Sequence, residues 1–309
     1  MLKNFVFVGH RKLFGCISLA IIVVGLLVNL IFGVELDISF KGGTMLKISY
    51  SGTLEDTAVK DAVTAKYGNA DVQLTTNDLA STQLINIYIP DKLSVDDKAV
   101  LVETLETSFA DHAIKEEESS LLSPSMGSLF FVKCLVAVVL AGLLLTLYVA
   151  LRFRRIGGWT AGVMALVALL NDILVAYFVF VICRIPLNDN FVAVVLSILG
   201  YSLNATIVIY DRIRENRRKL GAKEPLEDIV NLSIRQSFAR SMNTSLCVFI
   251  SIAVVAVISI AMGMDSITSF ALPMMFGVLS GFYTSTFLCA PLWTGWMLRR
   301  NAKKAAKAK

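Results

Sequence analysis

The stretch that decides the fold class is residues 159–182, which read WTAGVMALVALLNDILVAYFVFVI. Its one charged residue is Asp172, and apolar side chains occupy most of the other positions. About 20 apolar residues in a helix cross the roughly 30 Å hydrocarbon core of a bilayer, because a helix rises about 1.5 Å per residue. The stretch therefore predicts a membrane-spanning helix.

Five further stretches are long and apolar enough to predict the same. The whole chain is 56% hydrophobic and only 17% charged, whereas soluble chains are usually about 45–50% apolar. The last of the five is the longest, and its Pro273 predicts a break, a kink or a start outside the membrane. The first exceeds the apolar region of a signal peptide, so we expect a retained anchor. The five are Leu13–Phe32, Leu129–Leu151, Phe191–Tyr210, Met242–Met262 and Ile267–Leu298.

Charge predicts the orientation in the cell membrane. Residues 35–128 carry 16 acidic and 7 basic side chains, although the whole chain has a net charge of +5. Lys and Arg cluster in alternate connections, and basic loops stay in the cytoplasm. We therefore expect cytoplasmic termini, an external residue range 35–128, and contact of the basic loops with anionic lipid rather than nucleic acid. The basic clusters lie at 3–12, 152–155, 212–223 and 299–309.

The resulting domain organisation is a bundle of six helices with an inserted domain. We expect 1–34 to be the N-terminus and first membrane helix, 35–128 an extracytoplasmic α+β domain, 129–298 a five-helix bundle and 299–309 a basic tail. Within the insert, Ser94 and Asp97 have the spacing of a helix N-cap. The order βαββαβ predicts a ferredoxin-like fold. Its strands are Thr44–Tyr50, Asp71–Thr76, Gln83–Ile89 and Ala113–Leu122, the last interrupted by Glu116–Glu118, and its helices are Leu54–Tyr67 and Ser94–His112.

Enzyme chemistry has no support in the sequence. The five cysteines all lie in or beside apolar stretches, and the two histidines do not form a metal-ligand cluster. No glycine-rich loop followed by Lys-Ser or Lys-Thr is present. We therefore expect no enzymatic activity, no cofactor and no metal.

Asp172 is the most informative polar residue of the membrane segments. A carboxylate near the centre of a bilayer costs about 2.5–3.5 kcal/mol on insertion scales, so it is a functional candidate by default. Two interpretations stay open: a structural hydrogen bond to a neighbouring helix, or a carboxylate on a proton or ion pathway.

Polar stripes mark the fourth and fifth membrane helices. Arg240, at the start of the second stripe, either reaches to water or takes part in a charge relay. The sixth helix has Gly277 and Gly281, and Ser280 and Thr284, at the four-residue spacing that lets helices approach closely. These faces need one another or a partner. The first stripe is Ser197, Gly200, Tyr201, Asn204 and Asp211, flanked by Ala205 and Thr206; the second is Arg240, Thr244, Cys247 and Ser251.

Two short segments connect the insert to the membrane helices. Residues 37–44 contain Asp37 and the pair Gly42-Gly43, and glycine permits a tight turn. Residues 123–127 contain Pro124 and Gly127, which are typical of a strand-to-helix transition.

Residues 200–216, which read GYSLNATIVIYDRIREN, resemble the SecF family of bacterial protein translocase subunits. Asn171-Asp172, Arg240-Ser241, Asn243-Thr244 and the two connecting segments extend the resemblance over essentially the whole chain. It implies half of a unit of the resistance-nodulation-division (RND) type, pairing with SecD. Such a pair works beside the SecYEG channel and uses the proton-motive force to help draw secreted polypeptides across. The external domain would contact the emerging chain or SecD, and the polar stripes would face SecD.

One residue departs from the family pattern. The family usually has Asp after the Asn of the fourth-helix motif, as part of its proton path, and this chain has Ala205. Three hypotheses follow: the partner's own carboxylate suffices, Asp172 takes over, or coupling is to another ion or absent. We favour the first, because Asn204 and Arg240 are retained to face that carboxylate. The residues alone also allow half of an RND-type efflux transporter for small molecules or lipids, or a structural stabiliser of the translocase.

Overall fold

The computed structural model describes residues 5–36, 43–51, 56–67, 71–77, 82–89, 93–112, 114–122, 124–221, 224–262 and 264–307. The chain divides into two compact units. The helical unit comprises 1–35 and 135–309, and the α+β unit comprises 36–134.

The chain begins with α1, Arg11–Phe32. The helix ends where Gly33 adopts a φ of 67° and donates its N–H to the carbonyl of Asn29. Most of its apolar side chains are exposed, as expected for a helix whose neighbour is lipid.

The α+β unit is a four-stranded antiparallel sheet with two helices, in the spatial order β2-β3-β1-β4. Alternate residues of β1, such as Leu46 and Ile48, are fully buried, and they pack with Ile85 and Ile87 of β3. The elements lie within a few residues of the predicted ones. They are β1 Gly43–Tyr50, α2 Asp56–Tyr67, β2 Asp71–Asn77, β3 Thr82–Ile89, α3 Val95–Ser108, a 3₁₀ turn Ala110–His112 and β4 Lys115–Leu122.

Of two local predictions in this unit, the N-cap at Ser94 is confirmed and the interruption of the last strand is wrong. Ser94 accepts the N–H of Asp97 at 3.1 Å, and the Asp97 carboxylate accepts the N–H of Ser94 at 3.3 Å, which confirms the N-cap. Glu116–Glu118 do not interrupt the last strand. Lys47 pairs with Glu118 and Ile48 with Glu116, so that Glu117 is taken up by a bulge and the strand continues.

The remaining helices belong to the bundle, except that the first residues of α4 lie in the α+β unit. With α1, the described part of the chain has six spans that are long and apolar enough to cross a membrane, in agreement with the six predicted stretches. The sixth is not broken at Pro273, which lies inside α8; instead, a π-helical turn separates α8 from α9. The helices are α4 Pro124–Arg152, α5 Gly158–Ile182, α6 Asp189–Leu220, α7 Leu226–Ala261, α8 Asp265–Tyr283 and α9 Ala290–Lys307, and the π turn is Thr284–Cys289.

Small residues let α8 pack closely on α6. A Cβ atom added to Gly277 would lie 2.1 Å from Cδ1 of Ile198, and one added to Gly281 would lie 3.2 Å from Cβ of Ser202. The predicted close approach of the sixth membrane helix is therefore present. It brings the hydroxyl groups that follow Gly277 to the level of Asp172.

Candidate functional site

Asp172 lies about halfway along α5 and is fully buried. Three hydroxyl groups from other helices donate hydrogen bonds to its carboxylate. Ser202 of α6 and Ser280 of α8 each donate at 2.5 Å, to Oδ2 and Oδ1 respectively. Thr284, the first residue of the π turn, lies 3.0 Å from Oδ1 and 2.8 Å from Oδ2. Asp172 therefore forms the hydrogen bonds to neighbouring helices that its structural interpretation requires.

Asn171 extends these bonds to the first helix. Its Nδ2 donates to Oγ of Ser280 at 3.4 Å, and its Oδ1 accepts a hydrogen bond from the hydroxyl of Ser18 in α1. We call these six residues the carboxylate cluster: Ser18, Asn171, Asp172, Ser202, Ser280 and Thr284. The cluster joins α1, α5, α6, α8 and the π turn at one point.

The chemistry of the carboxylate cluster is that of a carboxylate held by neutral donors. Hydroxyl groups replace the water that Asp172 gives up on burial, which offsets part of the cost of placing it among helices in a bilayer. An ionised carboxylate only accepts hydrogen bonds, whereas a protonated one also donates. Protonation of Asp172 would therefore require at least one of the three hydroxyls to reorient.

The π turn continues this polar region toward α9. The hydroxyl of Tyr210 in α6 lies 3.2 Å from Sγ of Cys289, at the end of the turn. Within the described part of the chain, Oγ1 of Thr286 is buried and has no hydrogen-bond partner. Single π turns inside α-helices occur frequently at functional sites. The sixth span thus has its backbone irregularity beside the buried carboxylate.

The polar stripes of α6 and α7 have a different environment. On α6, Ser197, Gly200 and Asn204 are exposed, Ala205 and Asp211 are half-buried, and Thr206 is buried. On α7, the whole stripe is exposed. The hydroxyl of Tyr201 donates to Oγ of Ser245 at 2.6 Å and links the two helices beneath these stripes. We call the exposed residues the polar face: Ser197, Gly200, Asn204, Arg240, Thr244, Cys247 and Ser251.

A basic cavity of about 1180 Å³ lies at the end of α6 that carries Asp211. Asp211 and Arg240 both line it, together with Arg154, Arg217 and Arg218. Four ion pairs connect the charged residues at this helix end. They are Arg214–Asp211 at 2.8 Å, Arg212–Glu215 at 2.6 Å, Lys219–Glu215 at 2.6 Å and Arg152–Asp211 at 3.6 Å.

The structure thus separates four of the predicted site residues into two groups, and places half-buried Ala205 and Asp211 and buried Thr206 outside both. Asp172 belongs to the carboxylate cluster, whereas Asn204, Arg240 and Thr244 lie on the polar face. Among the described hydrogen bonds and ion pairs, none joins Asp172 to a residue of the polar face.

The predicted connecting residues are only partly described. Gly43 is the first residue of β1, Pro124 is the first residue of α4, and Gly127 lies in the first turn of α4. Asp37 and Gly42 lie outside the described residues.

The sequence patterns do not connect Ser18, Ser202, Ser280 or Thr284 with Asp172. Ser202 belongs to the fourth-helix motif, and Ser280 and Thr284 belong to the small residues at four-residue spacing. Two hydroxyl residues four positions apart on an apolar helix share one face, and that spacing is a usable signal. Ser18 is the only Ser or Thr of α1, so no spacing of hydroxyl residues points to it.

The six candidate membrane spans of the helical unit, with an inserted α+β unit, define a multi-pass membrane protein. The family described as "Protein export membrane protein SecD/SecF, C-terminal" matches residues 101–299. The chain belongs to this family, whose SecF-type members are subunits of the protein translocase.

Similar proteins match nearly the whole chain. SecF of Petrotoga mobilis is 31% identical over 99% of this chain and 100% of its own length, and SecF of Thermobaculum terrenum is 32% identical over 97% and 98%. SecDF of Bacillus subtilis is 31% identical over 97% of this chain but only 39% of its own length. These relatives are named as translocase subunits and not as enzymes.

Two crystal structures of SecDF have the same fold. One, from Thermus thermophilus and described as translocon-associated, has a TM-score of 0.74 at 25% identity over 96% of this chain. The other, in a super-membrane-facing form, has a TM-score of 0.67 at 26% identity over 98%. The chain spans 39% and 40% of these two proteins. This chain is therefore a multi-pass membrane protein. The SecDF relatives, in which SecD and SecF are fused in one chain, support pairing with SecD.

Proposed function

We propose that this chain pairs with SecD through the polar face and, beside the SecYEG channel, promotes the export of secreted polypeptides with the proton-motive force. The observation that carries this proposal is the exposure of the polar face on two helices that are otherwise apolar enough to cross a membrane. Export itself is the function that the family implies, and the partner and the energy source are the parts that we infer.

The polar face is unsuited to lipid. Hydrocarbon offers no hydrogen-bond partner, so amide, hydroxyl and guanidinium groups in membrane helices face other protein or water. Asn204 and Thr244 are exposed in this chain, and so is Arg240. A partner helix with polar groups would satisfy them, and SecD is the partner to which the fused relatives point.

Proton coupling would then use a carboxylate of SecD. Ala205 lies beside Asn204 on α6 and has no group that binds a proton. Arg240 is exposed at the cavity that it shares with Asp211, where it can pair with a carboxylate that loses its proton. One proton that crosses about 100 mV releases about 2.3 kcal/mol, enough to shift a conformational equilibrium roughly fiftyfold.

Asp172 has a supporting role in this proposal. Its hydrogen bonds hold α5, α6 and α8 together and so fix the surface that meets SecD. An ion pathway through Asp172 is the second hypothesis, and it predicts that the acidity of this one group matters for export.

The α+β unit is, on our proposal, a ferredoxin-like domain on the outer side of the cell membrane. Its strand order and its alternation of helices and strands are those of the βαββαβ arrangement. The excess of acidic residues between positions 35 and 128 supports the external position, with both termini in the cytoplasm. In that position the unit can contact the emerging polypeptide or SecD.

The test is export of a secreted reporter in cells depleted of this chain. The cells are complemented with the wild type or with Ala205→Asp, with and without a protonophore. Export that falls on depletion, and that responds to the protonophore only when the chain is present, supports proton coupling despite Ala205.

Three other outcomes change the proposal. Export that needs the chain but ignores the protonophore leaves a stabiliser of the translocase. Unchanged export on depletion contradicts the role in export and favours the alternative hypothesis, half of an RND-type efflux transporter. A large gain of export with Ala205→Asp, together with no effect of substituting the SecD carboxylates, contradicts the assignment of proton binding to SecD.

A further inference from the structure

A groove of about 970 Å³ lies on the helical unit between α1, α5 and α9. This volume is within the roughly 300–1,000 Å³ of small-molecule sites. On α9 the lining residues recur three or four positions apart from Leu292 to Lys304, so they form one continuous helix face. The groove is separate from the basic cavity and from the polar face.

Two glycines set the shape of the groove. A Cβ atom added to Gly295 of α9 would lie 3.2 Å from Cδ of Arg11, so the Arg11 side chain lies directly against α9. A Cβ atom added to Gly15 of α1 would meet nothing within 4 Å, so the wall on that side is open. The first residue of α1 therefore lies against α9 about one turn before Arg299, so that the cations of both helices line the same end of the groove.

That end of the groove is strongly basic. Six of the lining side chains are cationic and none is acidic. Arg11 pairs with Glu227 at 3.3 Å; the other five form no ion pair within the part of the chain that the structure describes. The six cations are Arg11, Lys12, Arg299, Arg300, Lys303 and Lys304. Such a concentration of unneutralised positive charge favours an anionic ligand.

The rest of the groove is apolar and accessible. Leu19 is 61% exposed and Trp296 is 44% exposed, and Met164, Val167 and Leu292 complete the apolar lining. Tryptophan is enriched where a membrane protein passes from hydrocarbon to headgroups. Along α9, the distance from Leu292 to Lys304 is about 18 Å at 1.5 Å per residue, so the apolar and cationic parts occupy successive depths.

A ligand that fits has an anionic head and an apolar tail. A soluble anion would leave the apolar lining without a counterpart, and a zwitterionic lipid would bring a further cation next to six. We propose that this groove binds one anionic phospholipid, with its phosphate at Arg11, Arg299 and Arg300 and an acyl chain along Leu19, Val167 and Trp296. Basic pockets between membrane helices hold anionic headgroups by this chemistry. The proposal holds for the chain by itself and does not depend on the export function.

Trp296 provides the reporter for the test. The full chain with Trp159→Phe is reconstituted into phosphatidylcholine nanodiscs that contain increasing fractions of brominated phosphatidylglycerol or brominated phosphatidylcholine. Trp159 is 70% exposed and would be quenched by any surrounding lipid, whereas Trp293 is fully buried. Because bromine quenches tryptophan only at short range, Trp296 then reports occupancy of the groove. We expect quenching by the brominated phosphatidylglycerol at clearly lower fractions than by the brominated phosphatidylcholine.

The charge of the groove is tested with matched variants. A cation near an anionic membrane surface contributes roughly fivefold to affinity, so Arg299→Gln, Arg300→Gln and Lys303→Gln together should reduce the phosphatidylglycerol preference at least about tenfold. The control removes three cations that line the basic cavity, by Arg154→Gln, Arg217→Gln and Arg218→Gln. It should leave the preference unchanged. Size-exclusion profiles and thermal unfolding check the fold, and Arg299→Gln alone replaces the triple variant if that variant unfolds.

Three outcomes overturn the lipid site. Equal quenching by the two brominated lipids would show no preference for the anionic headgroup. An equal loss in both triple variants would mean that only net charge attracts phosphatidylglycerol. Loss of the preference in inorganic phosphate, but not in chloride of the same ionic strength, would mean that the cations bind a free anion.

Discussion

The carboxylate cluster and the polar face place polar groups of the membrane helices in opposite environments. In the carboxylate cluster, Asp172 is fully buried and accepts hydrogen bonds from three hydroxyls of its own chain. On the polar face, Asn204, Arg240 and Thr244 are exposed. Helix α6 contributes to both, because Ser202 and Asn204 lie two positions apart and so on different sides of the helix.

The difference separates groups that stabilise this chain from groups that await a partner. A polar group in a bilayer has to be satisfied by protein or by water. The cluster is satisfied within the chain, so its loss should lower stability. On the polar face, Ser251 bonds only to the carbonyl of Cys247 in its own helix, and Asn204, Arg240 and Thr244 form no side-chain hydrogen bond or ion pair within the described part of the chain. Their loss should therefore leave stability unchanged and affect assembly.

The largest expected effect is that of Asp172→Leu on stability. The substitution leaves the hydroxyls of Ser202, Ser280 and Thr284 without their acceptor. Interhelical hydrogen bonds in membranes contribute about 0.6–1.7 kcal/mol each, so we expect a loss of about 2–5 kcal/mol. The free energy of unfolding is measured by titrating the purified chain from mild detergent into dodecyl sulfate.

Asp172→Asn is the matched variant, because the amide keeps an acceptor and the shape but does not ionise. We expect a smaller loss of stability and normal export. If Asp172→Asn keeps the fold and abolishes export, Asp172 acts through its acidity, and the cluster belongs to an ion pathway.

Arg240→Gln should show the opposite pattern. Arg240 is exposed on the polar face, and exposed substitutions usually change stability by less than about 0.5 kcal/mol. We expect an unchanged free energy of unfolding and strongly reduced export, with less SecD copurified. Arg235→Gln on the same helix is the control. A large loss of stability in the isolated Arg240→Gln chain would show that Arg240 supports the fold, and the distinction between the two regions would fail.

The smallest and most local effect is a cross-linking pattern. Cys247 lies on the polar face and Cys16 lines the groove beside α9, and both are exposed. In variants that keep only one of these cysteines, a thiol-attached benzophenone should cross-link SecD from Cys247 and not from Cys16. Equal cross-linking from both positions, analysed by electrophoresis and immunodetection, would place SecD elsewhere.

Much of the fold followed from local patterns. Apolar length located the six membrane helices, because a bilayer imposes a minimum on each span. The spacing of Ser94 and Asp97 located the start of α3. These features depend on residues that are close in sequence. Pro273 was the exception to the predicted break, since α8 continues through it.

The candidate site was predictable only in part. Asp172 was evident from its cost in a bilayer, but its partners come from positions up to 112 residues away. Whether a serine of an apolar helix faces lipid or a carboxylate depends on how the helices rotate against one another. The exposure of Asn204 and Arg240 had a local signal, the polar stripe. That signal was sufficient because no part of the chain that the structure describes covers these two residues.

The π turn Thr284–Cys289 has a geometric consequence for both ends of the sixth span. A π turn inserts one residue into an α-helix, and each residue of an α-helix turns the chain by about 100°. The helical wheel of α9 is thus offset by about that angle from the wheel of α8. Ser280 and Thr284 precede the offset and face Asp172, whereas the basic residues after it, such as Arg299 and Lys303, face the groove. The inserted residue therefore lets one continuous span direct hydroxyl groups toward the buried Asp172 and, further along, cations toward the groove.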